Sequence, residues 1–149
     1  MDAHLVEGHT LNNTMNIKYE ERNIKLEEYK LLRHAVGWWD TDDSATQKAL
    51  DNSLYSIAAV SDGKIVGMGR VIGDDGLYYY VQDLIVHPDY QSKGIGREIM
   101  SRLLNYINTN AKKGAFIGLM AAKGLKGYYQ KFGFTPRPED SPGMYDIKQ

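Results

Sequence analysis

Val86-His87-Pro88-Asp89-Tyr90-Gln91-Ser92-Lys93-Gly94-Ile95-Gly96-Arg97 is the stretch whose reading decides the fold. Before it, Val81 to Val86 is an apolar run that reads as a buried strand. After it, Ile95, Ile99, Leu103 and Ile107 step by four, and Met100 and Leu104 widen the stripe, which is a helical period. Arg97, Glu98, Arg102 and Asn105 take the outer side. Between strand and helix lies a short loop with Gly94 and Gly96, placed where helical amides begin. A helix N-terminus offers unpaired N–H groups and the positive end of its dipole. Glycine lets a bulky anion come close to the backbone. The loop therefore reads as an anion cradle, suited to a phosphate.

Working outward, the chain before the loop alternates between elements. Residues 1–14 show no period and read as a flexible extension, in which His4 and His9 are tail residues rather than metal ligands; Met15 is a plausible natural start. Asn16 to Arg22 reads as a first strand and Leu26 to Val36 as a helix, broken at Gly37-Trp38-Trp39-Asp40. Ser44 to Leu54 reads as a second helix, with Asp42, Asp43 or Ser44 available to cap it. Tyr55 to Val60, Ile65 to Ile72 and Leu77 to Val86 then form an antiparallel meander, turned at Asp62-Gly63 and Asp74-Asp75-Gly76. Beyond the loop helix, which ends at Lys112-Lys113-Gly114, Ala115 to Ala122 reads as a short strand. Leu125 to Phe132 reads as a short helix stopped by Gly133. Phe134 to Arg137 and Met144 to Ile147 read as closing strands. Residues 15–149 are thus expected to form a single α/β (α+β) domain, with a mixed, mostly antiparallel central sheet and flanking helices.

Two phosphate-binding alternatives fail on residues. A Walker loop needs Gly, four residues, then Gly-Lys-Ser/Thr, which this chain lacks. A dinucleotide loop needs a third glycine in a repeated parallel unit, whereas Ile99 stands at that position and an antiparallel meander precedes it.

Gln91-Ser92-Lys93-Gly94-Ile95-Gly96 resembles the pyrophosphate loop of the GNAT superfamily of N-acetyltransferases, which reads Gln or Arg, two residues, Gly, one residue, Gly or Ala. A second segment, Tyr128-Tyr129-Gln130-Lys131-Phe132-Gly133-Phe134, matches that family's aromatic-Tyr-x-Lys-x-Gly-Phe downstream. The resemblance covers roughly residues 15–149, and two motifs in register are specific where either by itself is common.

The resemblance implies a GNAT-like fold, splayed at a coenzyme slot after Ala115, and an acetyl-coenzyme A site without a metal. Backbone amides from Ser92 to Arg97 would hold the pyrophosphate, with charge from Lys93 and Arg97. The pantetheine arm would lie along Leu84-Ile85-Val86 like an added strand. An amine must be neutral to attack the thioester, and the departing thiol needs a proton. Tyr129 matches the family's acid, and with Lys131 it belongs to the coenzyme side. Asp83 interrupts an apolar strand beside the implied acetyl site and is the candidate base; its other reading is a structural hydrogen bond. Trp38, Trp39 and Tyr80 are the candidate acceptor wall. The implied reaction is direct transfer of acetyl to a primary amine of a small molecule in a ternary complex. A protein or peptide acceptor, or a coenzyme A-binding module without catalysis, are the alternatives. Dimers are common in the family, so a homodimer stays open.

Composition agrees with that class. Net charge is −1 over 149 residues, which argues against wholesale binding to nucleic acid or membrane. There is no cysteine, which removes disulfides, thiolate metal sites and a cysteine nucleophile. With no evident secretory signal, the expectation is a cytoplasmic protein.

Overall fold

A computed structural model describes residues 16–149; the extension expected over residues 1–14 and the start at Met15 lie outside the described residues. Two compact units divide the chain, one running to Ile117 and one from Gly118 to Gln149. The first holds a sheet in sequential order, from β1 (Lys18–Glu21) through β2 (Tyr55–Ser61), β3 (Lys64–Gly73) and β4 (Tyr78–Val86) to β5 (Phe116–Gly118). Helices α1 (Leu26–Ala35), α2 (Asp43–Asp51) and α3 (Ile95–Asn110) flank it. β1 to β4 pair antiparallel. β5 starts beside the start of β4, where the Phe116 N–H donates to the Leu77 carbonyl at 2.8 Å. With α3 as crossover the two strands therefore run the same way, which makes the sheet mixed.

Local chemistry accounts for the element ends. Asp62 and Gly63 both have positive φ (49° and 76°), as a primed two-residue hairpin turn requires. Asp74 Oδ1 accepts from the amides of Gly76, Leu77 and Tyr78 and so pins the next turn. Of the three candidate caps for α2, Asp42 serves, accepting from the Ala45 N–H at 2.9 Å. Glu28 accepts from the Lys25 N–H at the start of α1 and holds Arg22 bidentately at 2.9 and 3.0 Å.

The sheet is covered on both faces, and β2 is buried along nearly its whole length. One face meets α1 and α2 through Ile24, Tyr29, Leu32, Leu50, Ala58, Met68 and Ile85. The other meets α3 through Ile95, Ile99, Leu103 and Ile107, all buried. Burying each such side chain stabilises the fold by roughly 1.5–3 kcal/mol. Gly67 and Gly69 allow α3 to sit close. A Cβ on Gly69 would lie 2.7 Å from Ile99 Cγ2 and 2.9 Å from Leu103 Cδ1, so those packed side chains would have to shift.

The C-terminal unit departs from the sequence expectation. The helix expected from Leu125 to Phe132 is α4 (Lys126–Gln130), which tightens into three-residue turns ending at Gly133 (φ 95°). The strand expected from Ala115 to Ala122 is only β5. Phe134 to Arg137 and Met144 to Ile147 are not strands. Pro136, Pro138 and Pro142 withhold ladder donors, and Arg137 folds back so that its Nε donates to the Ser141 carbonyl. Met144 and Tyr145 are 84% and 80% exposed, so their alternation buries no face.

Candidate active site

The loop of Gln91 to Arg97 is fixed from its upstream side. The His87 N–H donates to the Val66 carbonyl, which ties the end of β4 to β3. Pro88–Tyr90 then form a short 3-10 turn capped by the His87 side chain, whose Nδ1 accepts from the Asp89 N–H. Gln91 Nε2 donates back to the Val86 carbonyl at 3.0 Å, bracing the loop against the strand it leaves. Ser92 and Gly94 take left-handed backbone (φ 63° and 87°), and Gly94 is the N-cap of α3 with no side chain closing it. The first α3 amide to bond backward is that of Glu98, to the Gly94 carbonyl. The amides of Ile95, Gly96 and Arg97 precede it and are left to a ligand or solvent. Nothing lies within 4 Å of where a Gly94 Cβ would be, so an anion has room. Lys93 is half-buried and Arg97 exposed. These residues fit a pyrophosphate held mainly by backbone.

Leu84, Ile85 and Val86 follow a bulge. The β3–β4 register passes from Met68↔Ile85 to Arg70↔Gln82, so β4 carries one extra residue there. Asp83 sits in it with φ 54°. Left-handed backbone costs a residue with a Cβ about 1–2 kcal/mol, and Asp tolerates it better than most. On the far edge of β4, β5 spans three residues and joins only at the start, where Phe116 tilts against Tyr78 and Tyr80 at 6.1 and 6.0 Å. A three-residue strand cannot cover a nine-residue one, so it leaves the Leu84–Val86 end of β4 free of its ladder.

Asp83 is the centre of a charge cluster. Its Oδ2 accepts from Arg70 Nε and from the Tyr29 hydroxyl, each at 2.9 Å. Its Oδ1 faces Arg33 Nη1 at 3.8 Å, beyond hydrogen-bond length. Arg33 Nη1 also donates to the Tyr29 hydroxyl and Nη2 to the Trp39 carbonyl, while Nε is buried without a partner. The side chains of Arg33, Arg70 and Asp83 are 9%, 8% and 7% exposed. Burial, then the Asp83 carboxylate, push the Tyr29 hydroxyl above its ordinary pKa, so it stays a donor. The structural hydrogen bond left open for Asp83 by the sequence is thus present. Tyr29, Arg33 and Arg70 escaped sequence reasoning. The available signal was that each charge interrupts an apolar stripe: Arg33 beside Leu32, Arg70 within β3, Asp83 within β4.

Trp38 and Trp39 diverge, as adjacent helix-end residues must. Trp38 packs on the core and Trp39 is 60% exposed. The Arg33 guanidinium lies 5.4 and 4.9 Å from their ring centroids. Tyr80 is half-buried.

In the C-terminal unit Tyr129 is 8% exposed and its ring meets Tyr128 edge-on at 5.2 Å and Phe134 at 6.4 Å. Burial, then the neighbouring Tyr128, raise its pKa above the ordinary tyrosine value, so the hydroxyl keeps its proton at neutral pH. Lys131 is exposed. Among the described residues no group of His, Cys, Asp and Glu could hold a metal ion, and no helix is long and apolar enough to cross a membrane.

Comparison with known proteins agrees with this geometry. A family model described as an acetyltransferase (GNAT) domain matches residues 19–142, across both compact units. A crystal structure of a probable acetyltransferase from meticillin-resistant Staphylococcus aureus superposes with a TM-score of 0.83 at 32% identity, over 89% of this chain and 99% of that one. The uncharacterized N-acetyltransferase ycf52 of Pyropia yezoensis is 29% identical over 83% of this chain and 72% of its own length. The chloroplastic serotonin N-acetyltransferase 2 of Oryza sativa subsp. japonica is 31% identical over 73% of this chain and 56% of its own.

Proposed function

We propose that this chain, which belongs to the GNAT superfamily of acetyltransferases, moves the acetyl group of acetyl-coenzyme A to the primary amine of a small molecule. The observation that carries the reading is the open amide cradle at the left-handed Gly94 cap of α3. In this reading the backbone from Ser92 to Arg97 holds the pyrophosphate, Gln91 braces the loop, and Lys93 and Arg97 add charge. The pantetheine arm pairs along Leu84-Ile85-Val86, on the edge that β5 leaves bare. The amine attacks the thioester directly, its nitrogen losing a proton as the C–N bond forms. Coenzyme A leaves as a thiol, taking its proton from Tyr129, with Lys131 on the coenzyme side. Burial keeps the Tyr129 hydroxyl protonated at neutral pH, as a proton donor must be.

Asp83 is assigned as proton acceptor through Oδ1, directly or through water. The support is that both hydrogen bonds to this carboxylate go to Oδ2, while among the described residues Oδ1 has only Arg33 Nη1 opposite it, at 3.8 Å. If the Asp83→Asn pH–rate profile keeps the acidic limb of the parent, the assignment fails. Trp38, Trp39 and Tyr80 form the acceptor wall. Because Arg33 already lies against both indoles, a second cation there would meet like charge, which favours an alkyl or aromatic amine over a polycation. A relative named for serotonin acetylation supports a small aromatic amine.

A thiol-release assay with acetyl-coenzyme A and a panel of alkylamines, arylalkylamines, polyamines and lysine peptides tests this. The expected result is release with the arylalkylamines and alkylamines. Release with peptides only would make the chain a protein acetyltransferase. No release with coenzyme A binding intact would make it a binding module.

A further inference from the structure

Arg70 is the one charge inside the buried run of β3, and nothing in the acetyl-transfer reading uses it. Its guanidinium is held at three points. Nε donates to Asp83 Oδ2 at 2.9 Å, and Nη1 donates to the Ala49 carbonyl at 3.1 Å and to Ser53 Oγ at 2.9 Å. The Ala49 carbonyl lies in the last turn of α2, the negative end of that helix, which favours a cation there. Arg70 is therefore fixed to a rigid element on one side and grips the extra residue of β4 on the other. That residue sits at one of two breaks in the sheet's register among the described residues, the other lying at Ala59/Val60. A bulge breaks the ladder, so its backbone direction is not set by strand pairing. Asp83 also holds a left-handed conformation that a side-chain-bearing residue seldom keeps without support. Tyr29 gives a second grip on the same oxygen, from α1.

Resting on the acetyl-coenzyme A reading, we propose that Arg70 is a positioning residue. It acts through Asp83 to hold the β4 bulge, and so aims the backbone groups of Leu84, Ile85 and Val86 at the pantetheine arm. The clamp joins α2, β3, β4 and α1 through side chains that neither the loop motif nor the Tyr129 motif contains.

The test compares Arg70→Met, Arg70→Lys and the double variant Arg70→Met/Asp83→Gly with the parent. Coenzyme A affinity is read by calorimetry, and amide exchange at Leu84 and Ile85 by NMR. Losing one or two well-aimed backbone hydrogen bonds weakens coenzyme A binding about tenfold in Arg70→Met. Exchange at Leu84 and Ile85 speeds up in the same variant. Glycine takes positive φ without the steric penalty a Cβ brings, so the double variant recovers affinity to within about threefold of the parent. The double variant also removes the carboxylate that Arg70→Met leaves without its main partner, so urea unfolding is read beside affinity, and an affinity that merely tracks the unfolding midpoint overturns the proposal. Parent-like affinity in Arg70→Met, or a double variant as weak as the single, overturns the proposal. If Arg70→Met does not fold, Arg70→Lys decides: it keeps the charge but loses the fork, so it too should bind about tenfold more weakly, and unchanged affinity overturns the proposal. If the parent itself binds no coenzyme A, the acetyltransferase reading falls, while exchange at Leu84 and Ile85 still decides whether Arg70 holds the bulge.

Discussion

The glycine loop from Gln91 to Arg97 and the buried charge cluster are built by opposite routes, although β4 feeds both. The loop is contiguous. From Gln91 to Arg97 its parts are neighbours in sequence, its open groups are backbone amides, and apart from the buried Ile95 its side chains are exposed or half-buried. The cluster is assembled. Arg33 comes from α1, Arg70 from β3 and Asp83 from β4, and all three side chains are at most 9% exposed. A contiguous site survives changes to the distant core but not to its own backbone. An assembled site is part of the core, so changing it changes the fold's stability first. The segment around Tyr129 belongs with the loop in this respect, since its neighbours in sequence supply its ring contacts.

Five variants break or sharpen that contrast. The largest effect is expected from Tyr129→Phe, which should lower turnover by roughly 10²–10⁴-fold while the unfolding midpoint holds. Steady-state kinetics beside urea unfolding checks it. In the parent, the alkaline loss of turnover due to Tyr129 should lie above the ordinary tyrosine value of about 10, because its pKa is raised. Next comes Asp83→Ala, which leaves two buried guanidiniums without their carboxylate and should cost about 3–5 kcal/mol of stability. Equilibrium urea unfolding measures it, and an unmoved midpoint would mean that the cluster is not a core element. Gly94→Val comes third. It forces a β-branched residue into left-handed backbone, so coenzyme A affinity should fall while stability drops by only about 1–2 kcal/mol. Full affinity in that variant would argue against the cradle. The smallest effect is expected from Lys93→Ala and Arg97→Ala. If the backbone does the holding, each should weaken coenzyme A binding by less than about tenfold, and the difference should shrink as salt is raised. Calorimetry at two ionic strengths reads this directly.

The legibility of these features follows the same contrast. The meander, the turn at Asp62-Gly63 and the loop into α3 were readable because period, turn chemistry and glycine position are local. Asp42 was one of three candidate caps, and only the helix phase decided among them. The closing strands at Phe134–Arg137 and Met144–Ile147 looked plausible by alternation, but alternation predicts a strand only where a sheet edge receives it, and Arg137 instead folds back on Ser141. Asp83 stood out as a charge in an apolar strand. Its partners did not, because Arg70 lies 13 positions away and Tyr29 lies 54.

The sequence by itself determined the family, the element order of the first unit and the place of the glycine loop that opens α3, since each rests on groups adjacent in the chain. Tertiary structure decided how close α3 lies to β3, through Gly67 and Gly69, and what Asp83 touches. It also decided that the bulge opposite Gly69 is gripped by Arg70. Those facts depend on which elements face each other across a packed sheet, and no local spacing encodes the partner of a buried charge.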